Sequence, residues 1–218
     1  MKTRYRGLIA AGLAVLLLLA SFGAQAKKNP EELIQGLFDE AVDVLLENRD
    51  AITEDRRVAF DLIDEILSPH VEYNLMSRLI LGRHARGASD ETIDRFADAF
   101  RENAIRTYSG TLSDHVDDVV RAVDGNGQVM EIVRVSDPDS RNRVQVQTRL
   151  NIDNPAVPVN YELILDEEHD AWRIYNISLE GFNFVINYRN EYGSVADRHG
   201  LDGLIERLED RNARAWSN

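Results

Sequence analysis

The stretch Trp172–Gly193, WRIYNISLEGFNFVINYRNEYG, is the part of the sequence that indicates the fold most directly. Its first half alternates as a strand does, with two sets of residues on opposite faces: Trp172, Ile174 and Asn176 against Arg173, Tyr175 and Ile177. The pair Glu180-Gly181 then ends the alternation, and four residues recur at helical spacing: Phe184, Val185, Tyr188 and Tyr192. A strand that leads into an aromatic helix can form one wall of a pocket. The same aromatic residues also suit an ordinary core.

Upstream of this stretch, three runs alternate with a period of two, as strands with one buried face do: 129–135, 144–152 and 157–165. Short segments rich in Gly, Asn, Asp and Pro separate the runs: Asp124–Gly127, Ser136–Asp139, Asn154-Pro155 and Glu167–Asp170. From about Leu112 onward, the sequence therefore predicts an antiparallel meander of four or five strands with one apolar face.

Four amphipathic helices are predicted before the sheet. The first opens at Asn29-Pro30, and the second is capped by Thr53 and stops near Ser68-Pro69. The third runs from Val71 to Leu81 and ends at Gly82, and the fourth runs from Ser89 to Ser109-Gly110.

Two further helices, 184–199 and 201–208, are predicted to close the chain, separated by Gly200. The predicted fold class is therefore α+β. N-terminal helices pack on a curved antiparallel meander sheet of four to five strands, with C-terminal helices and an apolar pocket between the layers.

The first 26 residues have the pattern of an export signal. Basic residues at positions 2, 4 and 6 precede the uncharged run Leu8–Ala20, and Ala24-Gln25-Ala26 is a small-residue cleavage site. The apolar run is shorter than the roughly 20 residues that a membrane-spanning helix needs. We therefore expect cleavage after Ala26, leaving residues 27–218 as a single domain. Because the chain has no cysteine, it forms no disulfide and has no lipid-modified cysteine, which suits a bacterial periplasm.

The charge balance excludes some classes of partner. The expected signal peptide contains three basic and no acidic residues, so the mature chain has 22 Lys and Arg against 38 Asp and Glu. A formal charge of −16 repels nucleic acid phosphates and anionic lipid surfaces. Partners should therefore be proteins or small molecules, without nucleic acid binding and without stable direct insertion into a membrane.

Signals for catalysis or metal binding are weak. The five histidines are scattered and form no metal-ligand spacing with each other or with carboxylates: His70, His84, His115, His169 and His199. Neither a nucleophile elbow nor a phosphate-binding glycine loop is present in the sequence. We therefore expect no catalytic residue, no metal and no cofactor. Two alternatives stay open: an acid/base enzyme with the cone of a nuclear-transport-factor-2-like fold, and a ligand-free chaperone or scaffold.

Several short motifs together resemble one known family. In order along the chain they are Leu81–Arg86 (LGRHAR), Phe96, Phe100, Tyr108, Trp172–Tyr175 (WRIY), Glu180-Gly181 and Asn187–Arg189 (NYR). Their order and spacing resemble those of the MlaC family, also called toluene-tolerance proteins, over roughly residues 31–208. The resemblance implies a periplasmic phospholipid-binding protein. Such a protein shuttles lipid between an outer-membrane lipoprotein complex and an inner-membrane ABC transporter, and so maintains the lipid asymmetry of the outer membrane.

A pocket bounded by the apolar face of the sheet and the helices would be lined by some of twelve residues, with ordinary core packing as the alternative for each. The candidates are Met76, Leu79, Phe96, Phe100, Tyr108, Val146, Tyr161, Leu163, Ile174, Phe184, Val185 and Tyr188. Arg189 could bind a lipid phosphate or a partner carboxylate, or could be a solvated or locally paired arginine. A shuttle that presents its pocket to two partners in turn is most simply a monomer.

Overall fold

The computed structural model describes residues 29–125, 129–151 and 155–215, apart from the side chains of 115, 118 and 125. Six α-helices are described: α1 (Pro30–Glu47), α2 (Arg49–Glu54), α3 (Arg56–Leu67), α4 (Tyr73–Leu81), α5 (Asp90–Gly125) and α6 (Phe184–Ala215). Two 3₁₀ turns, Ser68–His70 and Gly82–Ala85, flank α4. The expected signal peptide, and the expected turn residues Asn126, Gly127 and Asn154, lie outside the described residues.

Five strands form one antiparallel sheet: β1 (Met130–Val135), β2 (Arg143–Leu150), β3 (Val157–Asp166), β4 (Ala171–Leu179) and β5 (Phe182–Asn183). Their order in the sheet is their order in the chain, so the sheet is a meander. The predicted α+β class, with helices before and after an antiparallel meander, is confirmed.

The helix starts follow local capping chemistry. Asn29 accepts a hydrogen bond from the backbone N–H of Glu31 at 3.1 Å, and Ser89 accepts one from the backbone N–H of Thr92 at 3.1 Å. Both caps are at the predicted positions. The predicted end of α4 is also confirmed, because Gly82 has a φ of 55°, which glycine adopts without steric strain.

The predicted cap at Thr53 is wrong. Thr53 lies inside α2, where its hydroxyl donates to the carbonyl of Arg49 at 2.9 Å. Asp55 is the cap instead, since its carboxylate accepts from the backbone N–H of Arg57 at 2.9 Å. The sequence suggested that one helix starts at Thr53. The structure instead has the six-residue helix α2 there, followed by a second N-cap at Asp55 that starts α3.

The predicted helix end at Ser109-Gly110 and the predicted strand pattern from Leu112 are also wrong. Helix α5 continues for 36 residues, to Gly125. The hydroxyl of Ser109 donates to the carbonyl of Arg106 at 3.1 Å, so its polar group is satisfied within the helix. Beyond Gly110, Leu112 and Val116 keep helical spacing and pack into a buried cluster, so burial overrides the weak helix propensity of Ser-Gly.

One face assignment in β4 is corrected by a bulge. The pairing of β3 with β4 shifts between Glu162 and Leu163, so that Leu163 lies opposite Ile174 and Tyr161 lies opposite Ile177. Ile177, predicted to lie on the face opposite Ile174, therefore packs against the same core. A period-two pattern cannot anticipate the extra residue that a bulge inserts.

The Glu180-Gly181 pair is a tight hairpin turn, with φ values of 48° and 84°. It leads into the short strand β5 before α6 begins. Helix α6 changes direction at Gly200, whose φ of 75° and ψ of 174° interrupt the helical geometry at the predicted position.

Two hydrophobic clusters lie within this architecture. The larger one lies between the sheet and parts of α4, α5 and α6, and includes Phe96, Phe100, Val146, Leu163 and Ile174. The smaller one joins α1, α2, α3 and the second half of α5 through Leu45, Ile52, Ala59 and Val116. Within the described residues, no helix combines the length and the apolar composition needed to cross a membrane.

Candidate functional site

An apolar cavity of about 340 Å³ adjoins the smaller cluster, between α1, α3 and the second half of α5. Every residue that lines it has an aliphatic or phenyl side chain: Leu37, Phe38, Ala41, Val42, Val44, Leu45, Ile52, Ala59, Leu62, Ile63, Ile66, Leu67, Leu112, Val119, Val123, Val129 and Leu150. No charge, hydroxyl or amide is present in this lining. The cavity can therefore hold an apolar group and offers no proton donor or acceptor from a side chain.

Helical periodicity places these side chains on one surface. On α1, Leu37, Ala41 and Leu45 recur every four residues and share one face. On α5, Val119 and Val123 recur in the same way, beyond the position where that helix was expected to end. Two residues at the ends of β1 and β2 complete the lining: Val129 and Leu150.

The lining keeps solvent-accessible apolar surface. Only Leu45, Ile52 and Ala59 are fully buried, and the other large apolar residues of the lining are half-buried. The side chains of a well-packed interior leave no void of this size, because cores pack as densely as organic crystals. These helices therefore surround a space that their own side chains do not fill.

Ion pairs on the outside tie α2 and α3 to α5. Arg49 binds Asp117 at 2.7 Å, and the Arg101 guanidinium binds both carboxylate oxygens of Asp64 at 2.6 and 2.8 Å. The exposed Arg49–Asp117 pair contributes about 0–1 kcal/mol. The effect of these ion pairs is to orient the helices, while the apolar lining determines what the cavity accepts.

The predicted pocket residues occupy a different place. Eight of the twelve are fully buried in the larger cluster: Met76, Phe96, Phe100, Val146, Leu163, Ile174, Val185 and Tyr188. Three more, Leu79, Tyr161 and Phe184, are half-buried against it, and Tyr108 is 36 % exposed. None of the twelve lines the apolar cavity. Their contact with a ligand stays a prediction.

Aromatic rings dominate the centre of that cluster. Phe96 and Phe100 are stacked, with ring centroids 6.0 Å apart, and Tyr192 meets both edge-on. Burial raises the pKa of Tyr188 well above its usual range, and the hydrogen bond with Tyr108 adds to the shift. Burial also raises the pKa of Tyr161 to about 12. These phenols are therefore neutral at any physiological pH, so they behave as core residues rather than as bases.

Arg189 binds a backbone carbonyl. Its Nε donates to the carbonyl oxygen of Leu79 at 2.7 Å, near the C-terminal end of α4. This contact satisfies one of the carbonyls that a helix end leaves unpaired, and the cation is placed favourably at the negative end of the helix dipole. A lipid or partner contact of Arg189 stays a prediction.

The residues that sequence reasoning missed are those of the cavity lining on α1, α3 and the second half of α5. A usable signal was present on α1, where apolar residues occupy a wide stripe from Leu33 to Leu46. Packing against one neighbour requires only a narrow apolar stripe. A wider stripe, as on α1, indicates that the helix has a second apolar neighbour. On α5, the signal was hidden because Ser109-Gly110 suggested a helix end.

The fold and the cavity define an α+β protein with an apolar cavity between its helices, next to one end of its sheet. The chain belongs to the MlaC family, since the sequence profile described as MlaC protein matches residues 35–210. The resemblance predicted from the sequence motifs is thereby confirmed.

Two characterised relatives and one solved structure are similar to this chain. Toluene tolerance protein ttg2D of Pseudomonas putida is 24% identical over 193 residues, which cover 88% of this chain and 84% of that protein. The intermembrane phospholipid transport system binding protein MlaC of Haemophilus influenzae is 18% identical over 188 residues, covering 85% and 83%. A phospholipid-binding protein from Ralstonia solanacearum, solved in complex with a phospholipid, superposes with a TM-score of 0.67 at 22% identity. That match covers 84% of this chain and 96% of the other, and it shows the shared fold.

Proposed function

We propose that this protein binds a phospholipid through its acyl chains, with the apolar cavity as the binding site, and carries it through the periplasm. The observation that carries the proposal is the uniform lining, in which all seventeen side chains are apolar. The volume of about 340 Å³ is at the lower end of the roughly 300–1,000 Å³ typical of ligand pockets.

The energetics of an acyl chain fit this site. At roughly 0.8 kcal/mol per methylene, leaving a chain of about 16 carbons in water costs on the order of 12 kcal/mol. A carrier must hide that chain during transit. Transfer from a bilayer interior to an apolar cavity is nearly neutral, since both environments are apolar, so loading and release need little energy.

Filling the cavity also benefits the protein. The lining keeps apolar surface in contact with water, and an acyl chain in the cavity would cover that surface. Because the ligand binds the folded form, the liganded protein should be more stable than the empty form.

The family and its members support the lipid as the ligand. A relative named as a binding protein of an intermembrane phospholipid transport system covers most of this chain, and a structural neighbour contains a bound phospholipid. By extension we propose that lipid passes between an inner-membrane ABC transporter complex and an outer-membrane lipoprotein complex, which maintains outer-membrane lipid asymmetry. The strongly acidic chain favours such protein partners over direct docking on anionic lipid. Export after cleavage at Ala26, and action as a monomer, complete the proposal.

Native mass spectrometry of the protein purified from the periplasm, followed by lipid extraction, tests the proposal. We expect a mass excess that resolves into phospholipid. Val42→Asp should abolish this excess, because it places a carboxylate in the apolar lining. Val42→Ile, which keeps the lining apolar, is the matched control and should retain the lipid.

A lipid-free protein that takes up no phospholipid from liposomes would contradict the carrier function. The two alternatives would then return, an acid/base enzyme or a ligand-free chaperone or scaffold. The enzyme would need a site other than this cavity, because no side chain in the lining can exchange a proton.

A further inference from the structure

A second cavity, of about 620 Å³, lies between the two arms of α6 on either side of Gly200, and one residue of α5 completes it. Its lining, which we call the arginine groove, consists of Arg106, Glu191, Tyr192, Val195, Arg198, His199, Leu204, Arg207, Leu208, Asp210, Arg211, Arg214 and Ala215. The groove shares no lining residue with the apolar cavity. It is a separate feature of the molecule.

The charge of the arginine groove is opposite to that of the chain. Five arginines line it against two carboxylates, whereas the whole sequence has 38 acidic and 25 basic residues. An acidic protein that concentrates guanidinium groups at one place creates a local positive potential there, while the rest of its surface repels anions.

Two of the five arginines of the groove have no carboxylate partner within the described residues, whereas Arg106, Arg207 and Arg214 have hydrogen-bond partners. Several described arginines outside the groove bind carboxylates at 2.5–2.6 Å: Arg78 with Asp90, Arg95 with Glu209, and Arg101 with Asp64. Within the described residues, Arg198 and Arg211 have no carboxylate partner, and Arg214 meets Asp210 at 3.4 Å. Free guanidinium groups in an acid-rich chain are available for an external anion.

Arg106 is held in position by a buried amide. Its Nη2 donates to the Asn212 side-chain oxygen at 3.2 Å, and the Asn212 amide in turn donates to the carbonyl of Ala99 at 3.0 Å. The Nε of Arg106 is buried and has no hydrogen-bond partner in the described structure. The buried contact with Asn212 therefore fixes the position of this guanidinium group beneath the groove.

The guanidinium groups of the groove are spread over both arms of α6, since Arg198 precedes Gly200 and Arg211 follows it. The apolar residues of the lining offer little contact surface, because Tyr192, Leu204 and Leu208 are at most 2% exposed. A single small anion would use only part of this array of arginines. A segment with several carboxylates uses both arms, and guanidinium groups match the planar geometry of carboxylates.

From this geometry we propose that the arginine groove is a docking site for an acidic segment of a partner protein, with Arg198 and Arg211 as its exposed contacts. Nucleic acid and anionic membranes fit less well, because both are extended polyanions that the rest of the acidic surface would repel. The inference does not depend on lipid binding, since the two cavities have no residue in common.

Fluorescence anisotropy on the full protein tests this site, with a labelled synthetic peptide in which Glu and Asp alternate with Gly. We expect binding that weakens on raising the salt from about 50 mM to about 300 mM, because the Debye length shortens. The double substitution Arg198→Glu and Arg211→Glu should weaken binding by about tenfold or more. A matched double reversal on exposed arginines of the sheet, Arg134→Glu and Arg149→Glu, should change it by less than about twofold.

Three outcomes would overturn the proposal. The first is equal affinity of the groove variant and the native protein for the peptide. The second is an equal loss of peptide affinity in the sheet variant. The third is displacement of the peptide by inorganic phosphate at matched charge, which would define a small-anion site only. The phospholipid content of the same preparations, measured in parallel, should be the same in both double variants. Absence of phospholipid from the native protein, with peptide binding retained, would contradict the proposed carrier function and leave the groove intact as a docking site.

Discussion

The ring of Phe100 meets the ring of Tyr188 nearly perpendicularly, with centroids 5.1 Å apart and an interplanar angle of 80°. Phe100 is 1% exposed, and this edge-to-face contact joins α5 to α6. The aromatic residues that the sequence suggested as a pocket are thus packed against one another. They form the structural centre next to which the helices line the apolar cavity.

Phe100→Ala should therefore act on stability before anything else. Removal of a buried phenyl ring leaves a void and should lower the free energy of unfolding by about 3–5 kcal/mol. Urea denaturation followed by circular dichroism measures this change. Phe100→Leu, which keeps more of the volume, is the control and should cost clearly less. A loss below about 1 kcal/mol for the alanine variant would show that this core is loosely packed or occupied by ligand.

Filling the apolar cavity should exclude the lipid without unfolding the protein. Val119→Phe adds volume inside the cavity, so we expect less co-purified phospholipid and a lipid-free protein stabilised by about 0.5–2 kcal/mol. Lipid extraction and thermal unfolding give the two readings. Val133→Phe makes the same substitution at a 44% exposed position outside the cavity and should leave the lipid content unchanged. Undiminished lipid in the Val119 variant would place the ligand elsewhere.

Gly200 and Gly193 lie on the same helix and should respond in opposite directions to alanine. At Gly200, φ is 75° and ψ is 174°, a conformation that only glycine adopts easily, so alanine should cost about 1–3 kcal/mol. At Gly193 the backbone is helical and a Cβ would meet nothing within 4 Å, so alanine should stabilise by up to about 1 kcal/mol. Thermal unfolding of both variants checks the contrast. Equal effects would mean that the bend of α6 is not imposed by Gly200.

Asp139 should contribute to stability in a pH-dependent way. Hydrogen bonds from the Arg143 guanidinium, at 2.9 and 2.6 Å, and from the backbone N–H of Arg141 lower the pKa of Asp139 from 3.8 to about 2. Because the folded-state pKa is the lower one, this stabilisation is fully present above about pH 4 and is lost as the pH falls through about 2. An NMR titration of the Asp139 carboxyl group checks the value directly.

Asp139→Asn should remove the associated slope of unfolding free energy against pH between about 4 and 2. Asp137→Asn, in the same loop, changes one carboxylate in the same way without removing a contact to Arg143 and serves as the control. An unchanged slope in the Asp139 variant would contradict the assignment.

Much of the fold was readable from local patterns. Asn29 and Ser89 mark helix starts because their side chains satisfy the first free N–H groups of the helices they precede, a contact made within a few residues. The alternating pattern predicted four strands close to their observed bounds. The fifth strand, β5, is short and follows the hairpin turn at Glu180-Gly181. Family membership was readable for a similar reason, since it rests on the order and spacing of motifs along the chain.

The candidate site could not be read in the same way. Sequence pattern shows that Leu112 and Val119 are apolar, but it does not distinguish a side chain that fills a core from one that faces a void. That distinction depends on how closely α1, α3 and α5 approach one another. The bulge near Ile177 and the continuation of α5 past Ser109 are likewise decided by contacts between distant segments.

By itself, the sequence determined the class of the fold, the helix caps at Asn29 and Ser89, the turn at Glu180-Gly181, the acidic charge and the family, because each of these depends on composition or on contacts between neighbours in the chain. Only the tertiary structure decided where the apolar cavity lies and where the arginines of α6 converge. The physical reason is that a cavity is the space left between packed elements, and its position follows from the distances and angles between helices rather than from any single segment.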